Sequence, residues 1–434
     1  MPGSEALAAR AAESIGWRAP SFITFGAVGF AVGSATGLSL ALATGRSVAV
    51  VAGMAAASAV AFFAVAITTK VASGDETLTF YHHAFAVTLV CAALLLMAGA
   101  PLLPYLDLAA VGLLAFLTFG RLGCHVAGCC HGRPHGWGIR YSTRPESGAL
   151  PAYLTGVTLL PVQLFEAATS AAIALLGVAA VLSGSVPGTA LVWCVTAYAA
   201  SRFIIEFGRG DEVRRYVAGI SVPQWTSLAV AGCCMLLAAS DRLPGLPIAA
   251  SFTISIGVGV LAVVLPRGSQ IARFDLLAPA HVHEMSHLLE LASATMNPSA
   301  MVTSRGLVLS TNSIIEDGET TRVYSFSHSS HVLSPRMASR LARTILLLSQ
   351  RDCDWTALTG SPQGVFHLVC VPGGHERHVG DPPPPPYRCE PLSAAQPTAA
   401  AVPESPTVFI RQPTVAPLGA FVIDNVYPLG HREL

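Results

Sequence analysis

Long apolar runs fill the first 265 residues and constrain the fold more than any other feature of the sequence. A helix needs about 20 apolar residues to cross the hydrocarbon core of a bilayer. Eight runs approach that length, near residues 21–44, 47–69, 79–99, 104–120, 159–182, 188–207, 221–239 and 247–265. The last two are interrupted by Gly and Pro. We therefore predict an all-α polytopic membrane bundle with seven to eight transmembrane helices.

The composition agrees with a membrane protein, because 52% of the residues are hydrophobic and only 12% are charged. The formal net charge is zero and no run rich in Lys or Arg occurs, so the chain lacks the basic surface typical of nucleic-acid binders. Nucleic acid is excluded as a partner. Residues 1–20 also lack the short apolar core and cleavage site of a secretory signal, and the first helix is expected to stay as an anchor.

A change of composition after Pro266 predicts a second domain, because charged residues return and the apolar runs shorten. We predict four segments, an N-terminal segment 1–20, a transmembrane domain 21–265, a small α/β domain 267–372 and a Pro-rich disordered tail 373–434. Residue patterns in the α/β domain predict helices near 283–292 and 335–349, the second capped by Ser334, and strands near 306–309, 322–327 and 364–370.

Charged and sulfur-containing side chains concentrate where the fourth and sixth apolar runs end. The stretch Gly120–Tyr141, GRLGCHVAGCCHGRPHGWGIRY, interleaves Arg, His and Cys. Arg202, Glu206 and Arg209 close the sixth run, and the first two are spaced to share one helical face. Ionisable residues at a membrane boundary indicate a functional site, so we predict that both segments bring cations to the membrane surface.

Three of the ten cysteines, Cys124, Cys129 and Cys130, lie at this edge. Three histidines are interleaved with them, His125, His131 and His135. This mixture is compatible with a soft metal site, a disulfide or a reactive thiol. Its spacing, C-H-x3-C-C-H-x3-H, matches no standard zinc pattern, so we predict no metal and interpret the stretch as small residues packed around a Gly-rich turn. Four cysteines inside apolar runs are expected only to pack, Cys91, Cys194, Cys233 and Cys234.

Five motifs stand in a fixed order along the apolar region. They are FITFGAVGFAVG in the first run, FYHHAFA opening the third, GRLGCHVAGCCHGRP after the fourth, PVQLFEA opening the fifth and AYAASRFIIEFGR closing the sixth. Over roughly residues 20–240 the chain resembles the prolipoprotein diacylglyceryl transferases. These multi-pass enzymes of the bacterial inner membrane move a diacylglyceryl group from phosphatidylglycerol to the cysteine thiol of a lipoprotein precursor. The resemblance implies phosphatidylglycerol or another anionic phospholipid, a prolipoprotein signal peptide and the membrane as partners, and no cofactor.

The resemblance implies catalytic roles for four residues, His82, Arg121, Arg202 and Glu206. Arg121 matches the Arg of the family's GRxGN signature, and His82, beside His83, aligns with the essential histidine of its YHGG motif. A guanidinium meets phosphate oxygens bidentately and stabilises the charge of a glycerol phosphate leaving group. His82 would remove the thiol proton or orient the reacting groups, and Glu206 would hold the guanidinium of Arg202.

Substrate-binding roles are implied for seven residues that match the same motifs, Gly123, Gly132, Arg133, Gln163, Glu166, Tyr198 and Arg209. A purely structural interpretation exists beside this one. Membrane-edge arginines such as Arg121 and Arg133 can anchor helix ends at lipid headgroups, and Arg202 with Glu206 can form a structural ion pair.

Several family polar positions are changed in this chain. Cys124 stands where the signature has its first Asn, Ala127 where it has the second, and Cys129 where it has Glu. Further replacements are His83 and Ala84 for two glycines and Phe25 for a tyrosine. Two alternatives therefore stay open. One is a catalytically divergent membrane protein that binds anionic phospholipid and recruits partners, and the other is a thiol or metal membrane protein.

Two further features are ambiguous at the level of sequence. The resemblance implies an outward N-terminus, whereas the Lys and Arg residues near span ends mildly favour an inward one. His283, Glu284 and His287 spell HExxH, a zinc-binding pattern on a helix, and His281 would add a third nitrogen. No recognisable third-ligand motif follows, so we interpret this stretch as the polar face of a regulatory or interaction module.

Overall fold

Every apolar run of the sequence forms an α-helix in the computed structural model. The helices are α1 (Phe22–Ala43), α2 (Val48–Ser73), α3 (Phe80–Met97), α4 (Leu102–Ala127), α5 (Val162–Leu182), α6 (Thr189–Ile205), α7 (Val222–Ala239) and α8 (Leu246–Val264). Within the described residues, six are long and apolar enough to cross a membrane, and α3 and α8 provide only the shorter apolar stretches Tyr81–Met97 and Leu246–Leu261. The predicted count of seven to eight spans was therefore wrong for the described residues, which provide six.

The structure describes residues 22–73, 80–145, 147–212, 216–264, 276–294, 300–316, 319–349, 353–360, 364–372 and 426–428. The chain divides into two compact units, Met1–His283 and Glu284–Leu434. The predicted N-terminal segment 1–20 lies outside the described residues, and so does the predicted tail apart from Val426–Pro428. The predicted domain boundaries stay predictions.

Glycines allow a close contact between α1 and α4 in the first unit. A Cβ added at Gly33 would lie 2.5 Å from the carbonyl oxygen of Gly112, and one added at Gly112 would lie 2.9 Å from that of Gly33. Small residues allow membrane helices to approach to backbone contact. The motif of the first apolar run therefore acts as a packing surface for α4.

Asp107 of α4 fixes the position of α6. Its carboxylate accepts the backbone N–H of Gly188 at 2.6 Å and that of Leu191 at 2.7 Å. The first N–H groups of a helix have no partner inside the helix, so this side chain caps α6 from a neighbouring helix. The two helices consequently run parallel, and their other ends bring Arg121 and Arg202 to the same end of the bundle.

Short strands connect the helices at that end. Strand β1 (Pro134–Arg140) pairs antiparallel with β2 (Thr158–Leu159) between α4 and α5, and β3 (Tyr216–Val217) pairs with β4 (Ile220–Ser221) before α7. Helix α7 begins with a capping box between Ser221 and Gln224. An isolated bridge between Gly132 and Arg209 ties the two connections together.

The second unit contains an antiparallel sheet and helix α10 (Pro335–Ser349), with α9 (Pro279–Ala294) preceding the sheet in sequence. The strands are β5 (Met301–Val302), β6 (Leu307–Glu316), β7 (Glu319–His328), β8 (Cys353–Gly360), β9 (Phe366–Pro372) and β10 (Val426–Pro428), in the order β10-β8-β9-β7-β6-β5. The predicted strands correspond to β6, β7 and β9, whereas β5, β8 and β10 were missed. The hydroxyl of Ser334 accepts the N–H of Met337 at 3.3 Å, which confirms the predicted cap.

Candidate functional site

One buried carboxylate organises the end of the bundle where the predicted residues meet. Glu166, near the start of α5, is 0% exposed. One of its oxygens accepts from Arg121 Nη2 at 2.9 Å and from the Tyr198 hydroxyl at 2.8 Å. The other accepts from Arg202 Nη1 at 3.1 Å and lies 3.5 Å from Arg209 Nη1. Three guanidinium groups from different elements therefore converge on a single side chain.

A second tier of acidic and polar groups holds the same arginines. Arg202 Nη2 lies 3.0 Å from a Glu206 oxygen, and the Ser221 hydroxyl donates to the other oxygen at 3.0 Å. Arg209 Nε donates to Asp211 at 2.9 Å. We call the set Arg121, Arg202, Arg209, Glu166, Glu206 and Asp211 the arginine–carboxylate group. Its three positive and three negative charges compensate each other, as buried ionic groups require.

The local sequence explains this convergence. Tyr198 and Arg202 are four residues apart on α6 and therefore project from the same helical face. Glu166 sits in the second turn of α5, and Arg121 lies near the end of α4. Because α4 and α6 run parallel, the guanidinium groups of both helices reach the beginning of the intervening helix.

Two donors of the group are left over. Among the described residues, no hydrogen-bond partner reaches Arg121 Nε or Arg209 Nη1, although both atoms are buried. Buried N–H groups are nearly always satisfied, and an unsatisfied one costs about 1–3 kcal/mol. An oxyanion that reached either atom would supply the missing acceptor.

Cys124, Cys129 and Cys130, which we call the thiol group, lie beside the arginines. Their sulfur atoms are all within 4.8 Å of one another, and the three thiols are free. Cys124 belongs to the last turns of α4, whereas Cys130 follows the helix with a left-handed backbone (φ 56°). The Gln163 side chain donates to the Cys129 carbonyl at 3.0 Å. Gln163 thus connects the thiol group to the helix that carries Glu166.

The thiols share hydrogen bonds and differ in acidity. Hydrogen bonds from Cys124 and Cys129 lower the pKa of Cys130 well below that of an ordinary thiol; burial opposes this, and the cations of Arg209 and Arg121 add to the lowering. The same hydrogen bonds, from Cys124 and Cys130, raise the pKa of Cys129. Hydrogen bonding within the thiol group therefore favours the thiolate form of Cys130 over that of Cys129.

The predicted glycines and Arg133 act through the backbone. A Cβ at Gly132 would overlap the carbonyl oxygen of Leu160, so only glycine fits against this part of the connection between α4 and α5. Gly123 packs closely on α1, where an added Cβ would lie 3.0 Å from that of Phe25. Arg133 donates from Nε to the Arg209 carbonyl at 3.0 Å. The structure therefore places these three residues around the arginine–carboxylate group without bringing Arg133 into it.

The start of α3 contributes a tyrosine. Tyr81 is buried, its hydroxyl lies 2.7 Å from that of Ser227, and it interacts electrostatically with Arg202 and Glu166. His83 is also buried, with its ring 4.6 Å from that of Phe62. His82 is exposed. The structure does not bring His82 to the arginines, and its catalytic role stays a prediction.

Sequence reasoning brought together most of this site and missed part of it. The structure gathers the predicted Arg121, Arg202, Arg209, Glu166, Glu206, Gln163 and Tyr198. The residues that were missed are Tyr81, Asp211, Ser221, Gln224 and Ser227. A signal existed for Ser221 and Gln224, because S-x-x-Q before an apolar run is a capping box. The others are single polar residues without a distinctive spacing.

The structure shows the surroundings of the HExxH stretch on the described part of α9. His283 and His287 are exposed, and the Glu284 carboxylate accepts from the backbone and hydroxyl of Ser304 at 2.5 and 2.6 Å. Within the part of the chain that the structure describes, the thiol group alone clusters enough potential metal ligands to hold an ion. These contacts agree with the interpretation of the stretch as a polar helix face.

Comparison with known proteins matches the first unit to a family. The family model described as prolipoprotein diacylglyceryl transferase matches residues 38–239, which confirms the resemblance predicted from the motifs. A relative named phosphatidylglycerol–prolipoprotein diacylglyceryl transferase 2, from Clostridium perfringens (strain 13 / Type A), is 31% identical over 141 residues. The aligned part covers 32% of this chain and 52% of the relative, so the chain spans about half the length of that protein. Together with six apolar helices among the described residues, the match points to a multi-pass membrane protein.

Proposed function

We propose that this protein transfers a diacylglyceryl group from phosphatidylglycerol to the cysteine thiol of a prolipoprotein at the bacterial inner membrane. The proposal proceeds from the match of residues 38–239 to the prolipoprotein diacylglyceryl transferase family. The observation that carries it is the convergence of three guanidinium groups on buried Glu166, with two N–H donors left for an anion.

In the proposed reaction the arginines bind the phosphodiester of the lipid. Glu166 holds Arg121, Arg202 and Arg209 in place, so little reorganisation is needed when the ligand arrives. Arg121 Nε and Arg209 Nη1 donate to phosphate oxygens. The group has no net charge of its own, because its three positive and three negative charges cancel. The charge of the phosphodiester is therefore stabilised by oriented N–H donors and not by an excess of cations.

The chemical step is an S-alkylation. The acceptor sulfur attacks the glyceryl carbon, the C–O bond to phosphate breaks, and its electron pair leaves with glycerol phosphate. Donors aimed at that phosphate stabilise the developing charge. In this proposal His82, exposed at the start of α3, receives the thiol proton from the acceptor. Glu206 keeps the Arg202 guanidinium fixed, and Gly123, Gly132, Arg133, Gln163 and Tyr198 shape the surroundings of the bound lipid.

The test is a transfer assay with purified full-length protein, phosphatidylglycerol vesicles and a peptide carrying a prolipoprotein cysteine. Mass spectrometry would detect the added diacylglyceryl group. We expect wild type to modify the peptide, and Arg121→Ala and Arg202→Ala to lose about a hundredfold or more in rate. Arg140→Ala is the matched control, because Arg140 is exposed on β1 at the same end of the bundle and should retain activity.

Complementation of a strain depleted of its own diacylglyceryl transferase extends the test to cells, with membrane expression matched between variants. Growth with wild type and Arg140→Ala, and no growth with Arg121→Ala or Arg202→Ala, supports the proposal. A folded wild type that binds phosphatidylglycerol vesicles but modifies no peptide contradicts it and favours the divergent lipid-binding alternative.

A further inference from the structure

The role proposed for the arginine–carboxylate group gives no reason for three cysteines to lie together beside it. Cys124, Cys129 and Cys130 are drawn together from the end of a helix and a following turn, in which Cys130 takes a left-handed conformation. Such a backbone is uncommon for a residue other than Gly, Asn or Asp. Small apolar packing, the interpretation from sequence, would not require three sulfur atoms within 4.8 Å of one another.

The geometry points to a zinc site in which Cys124, Cys129 and Cys130 supply three thiolates and the thiol of the acceptor takes the fourth position. This inference rests on the proposed function for the identity of the acceptor. The three-thiolate site itself rests only on the positions of the cysteines.

Distances favour this assignment. Zn–S bonds of about 2.3 Å at tetrahedral angles place ligand sulfurs about 3.8 Å apart, and the three sulfurs already lie within 4.8 Å of one another. Rotamer adjustments of about an ångström would close the site. Zinc favours thiolate ligands, and a three-ligand site with an open position is the arrangement of catalytic zinc centres.

The number of ligands also fits. In the described ranges of the chain, no fourth His, Cys, Asp or Glu atom joins the three sulfurs. Structural zinc sites are closed by four protein ligands, whereas catalytic ones leave a position for water or substrate. A site with three thiolates is therefore suited to bind an incoming thiol.

A contact from the neighbouring helix holds the thiol group in place. Gln163 of α5 donates from its side-chain amide to the Cys129 carbonyl at 3.0 Å. Second-layer contacts of this kind orient metal ligands.

The chemistry at the open position follows from metal coordination. A thiol bound to zinc is deprotonated but keeps a nucleophilic sulfur. The released proton goes to a neighbouring base or water. The zinc-bound sulfur then forms the S–C bond to the glyceryl carbon while the C–O bond to phosphate breaks, and the thioether product dissociates from the metal. Zinc keeps its oxidation state, so no oxidant or reductant is consumed.

Metal binding is measured first, on full-length protein purified with a phosphine reductant. We expect one tightly bound zinc ion per chain in wild type, determined by elemental analysis and by competition with a chromophoric chelator. Cys124→Ser, Cys129→Ser and Cys130→Ser should each weaken zinc binding by about a hundredfold or more. Cys233→Ser, which removes an exposed free thiol from α7, is the control and should match wild type.

Cobalt substitution tests the open position. Cobalt in the site should show thiolate-to-metal charge-transfer absorption, and an acceptor peptide with cysteine should change that spectrum while its serine analogue should not. Reduced, folded wild type that binds no zinc above a tenth of an equivalent overturns the inference, as does zinc binding that survives all three serine variants. Alkylation mapping that finds two of the cysteines disulfide-bonded after reduction and repurification overturns it as well.

The two proposals fail separately. Transfer activity without zinc, unaffected by chelator, overturns the zinc site and leaves the transferase intact. Zinc binding and the cysteine-dependent cobalt spectrum without any transfer support the metal site and contradict the transferase.

Discussion

Two adjoining groups at one end of the bundle are built on opposite principles. The arginine–carboxylate group consists of charges that compensate each other at distances of 2.9–3.5 Å around a fully buried Glu166. The thiol group consists of three free, polarisable side chains, two of them only partly buried. The first group tolerates little change of geometry, because each buried charge offsets the cost of desolvating an opposite charge.

The thiol group does not depend on mutually compensating charges. Its sulfur atoms exchange weak hydrogen bonds among themselves, and thiols behave largely as small apolar groups when they are not ionised. Within one site, the arginine–carboxylate group is thus needed for stability, whereas the thiol group can be changed at little structural cost. Substitutions in the arginine–carboxylate group should therefore lower both stability and activity, whereas substitutions in the thiol group should lower activity with little loss of stability.

Glu166→Ala gives the largest expected effect. It removes the shared partner of Arg121, Arg202 and Arg209 and leaves buried cations uncompensated. Breaking a buried ion pair by removing one partner costs about 3–5 kcal/mol. We expect a strong loss of folded protein in the membrane and a lowered unfolding temperature in detergent.

Asp241→Asn is the matched control for that variant. Asp241 is exposed after α7 and has a φ of 55°, a conformation that Asn tolerates. The substitution removes one negative charge, as Glu166→Ala does. The unfolding temperature of this variant should match that of wild type. Equal stability of Glu166→Ala and this control would show that the arginines do not depend on Glu166.

Arg202→Lys tests geometry at constant charge. Arg202 uses two different nitrogens to reach Glu166 and Glu206 at 3.1 and 3.0 Å. A lysine offers one ammonium and cannot span both carboxylates in the same way. We expect the transfer rate to fall by at least about tenfold, with Arg140→Lys as the control. A full rate in Arg202→Lys would reduce the role of this residue to positive charge alone.

The sequence predicted the helices and most of the arginine–carboxylate group because both leave strong local signals. Apolar runs of sufficient length announce helices, and Arg202 with Glu206 shows its shared face directly in the spacing. The count of spans went wrong where helix and span differ. Helices α3 and α8 exist, but among the residues described their apolar stretches are short.

Other features depend on angles that the sequence does not fix. Adjacent residues on a helix point about 100° apart, so the FYHHAFA motif could not show that Tyr81 would be buried and His82 exposed. The thiol group depends on the left-handed turn at Cys130. Cysteine is not a typical residue for that conformation, and the spacing alone therefore gave no reason to expect convergence.

Gln163→Met breaks the connection between the two groups. Gln163 is 1% exposed and donates to the Cys129 carbonyl. Losing this donor leaves a buried acceptor without its partner, which costs about 1–3 kcal/mol, and should weaken zinc binding by about tenfold. Thr169→Val, on the outer side of the same helix, should change neither. Unaltered zinc affinity in Gln163→Met would mean that the two groups act independently.

Cys129→Ser gives the smallest expected change in stability and makes the sharpest test of the comparison. Cys129 is only partly buried, and serine keeps its size and hydrogen-bonding capacity. In chelator-treated protein the free energy of unfolding should change by less than about 1 kcal/mol. In zinc-loaded wild type the bound ion adds stability by mass action, and the serine variant should lack most of that gain. If metal-free Cys129→Ser loses as much free energy of unfolding as Glu166→Ala, the thiols stabilise the end of the bundle. A group present only for its chemistry can be replaced without loss of stability.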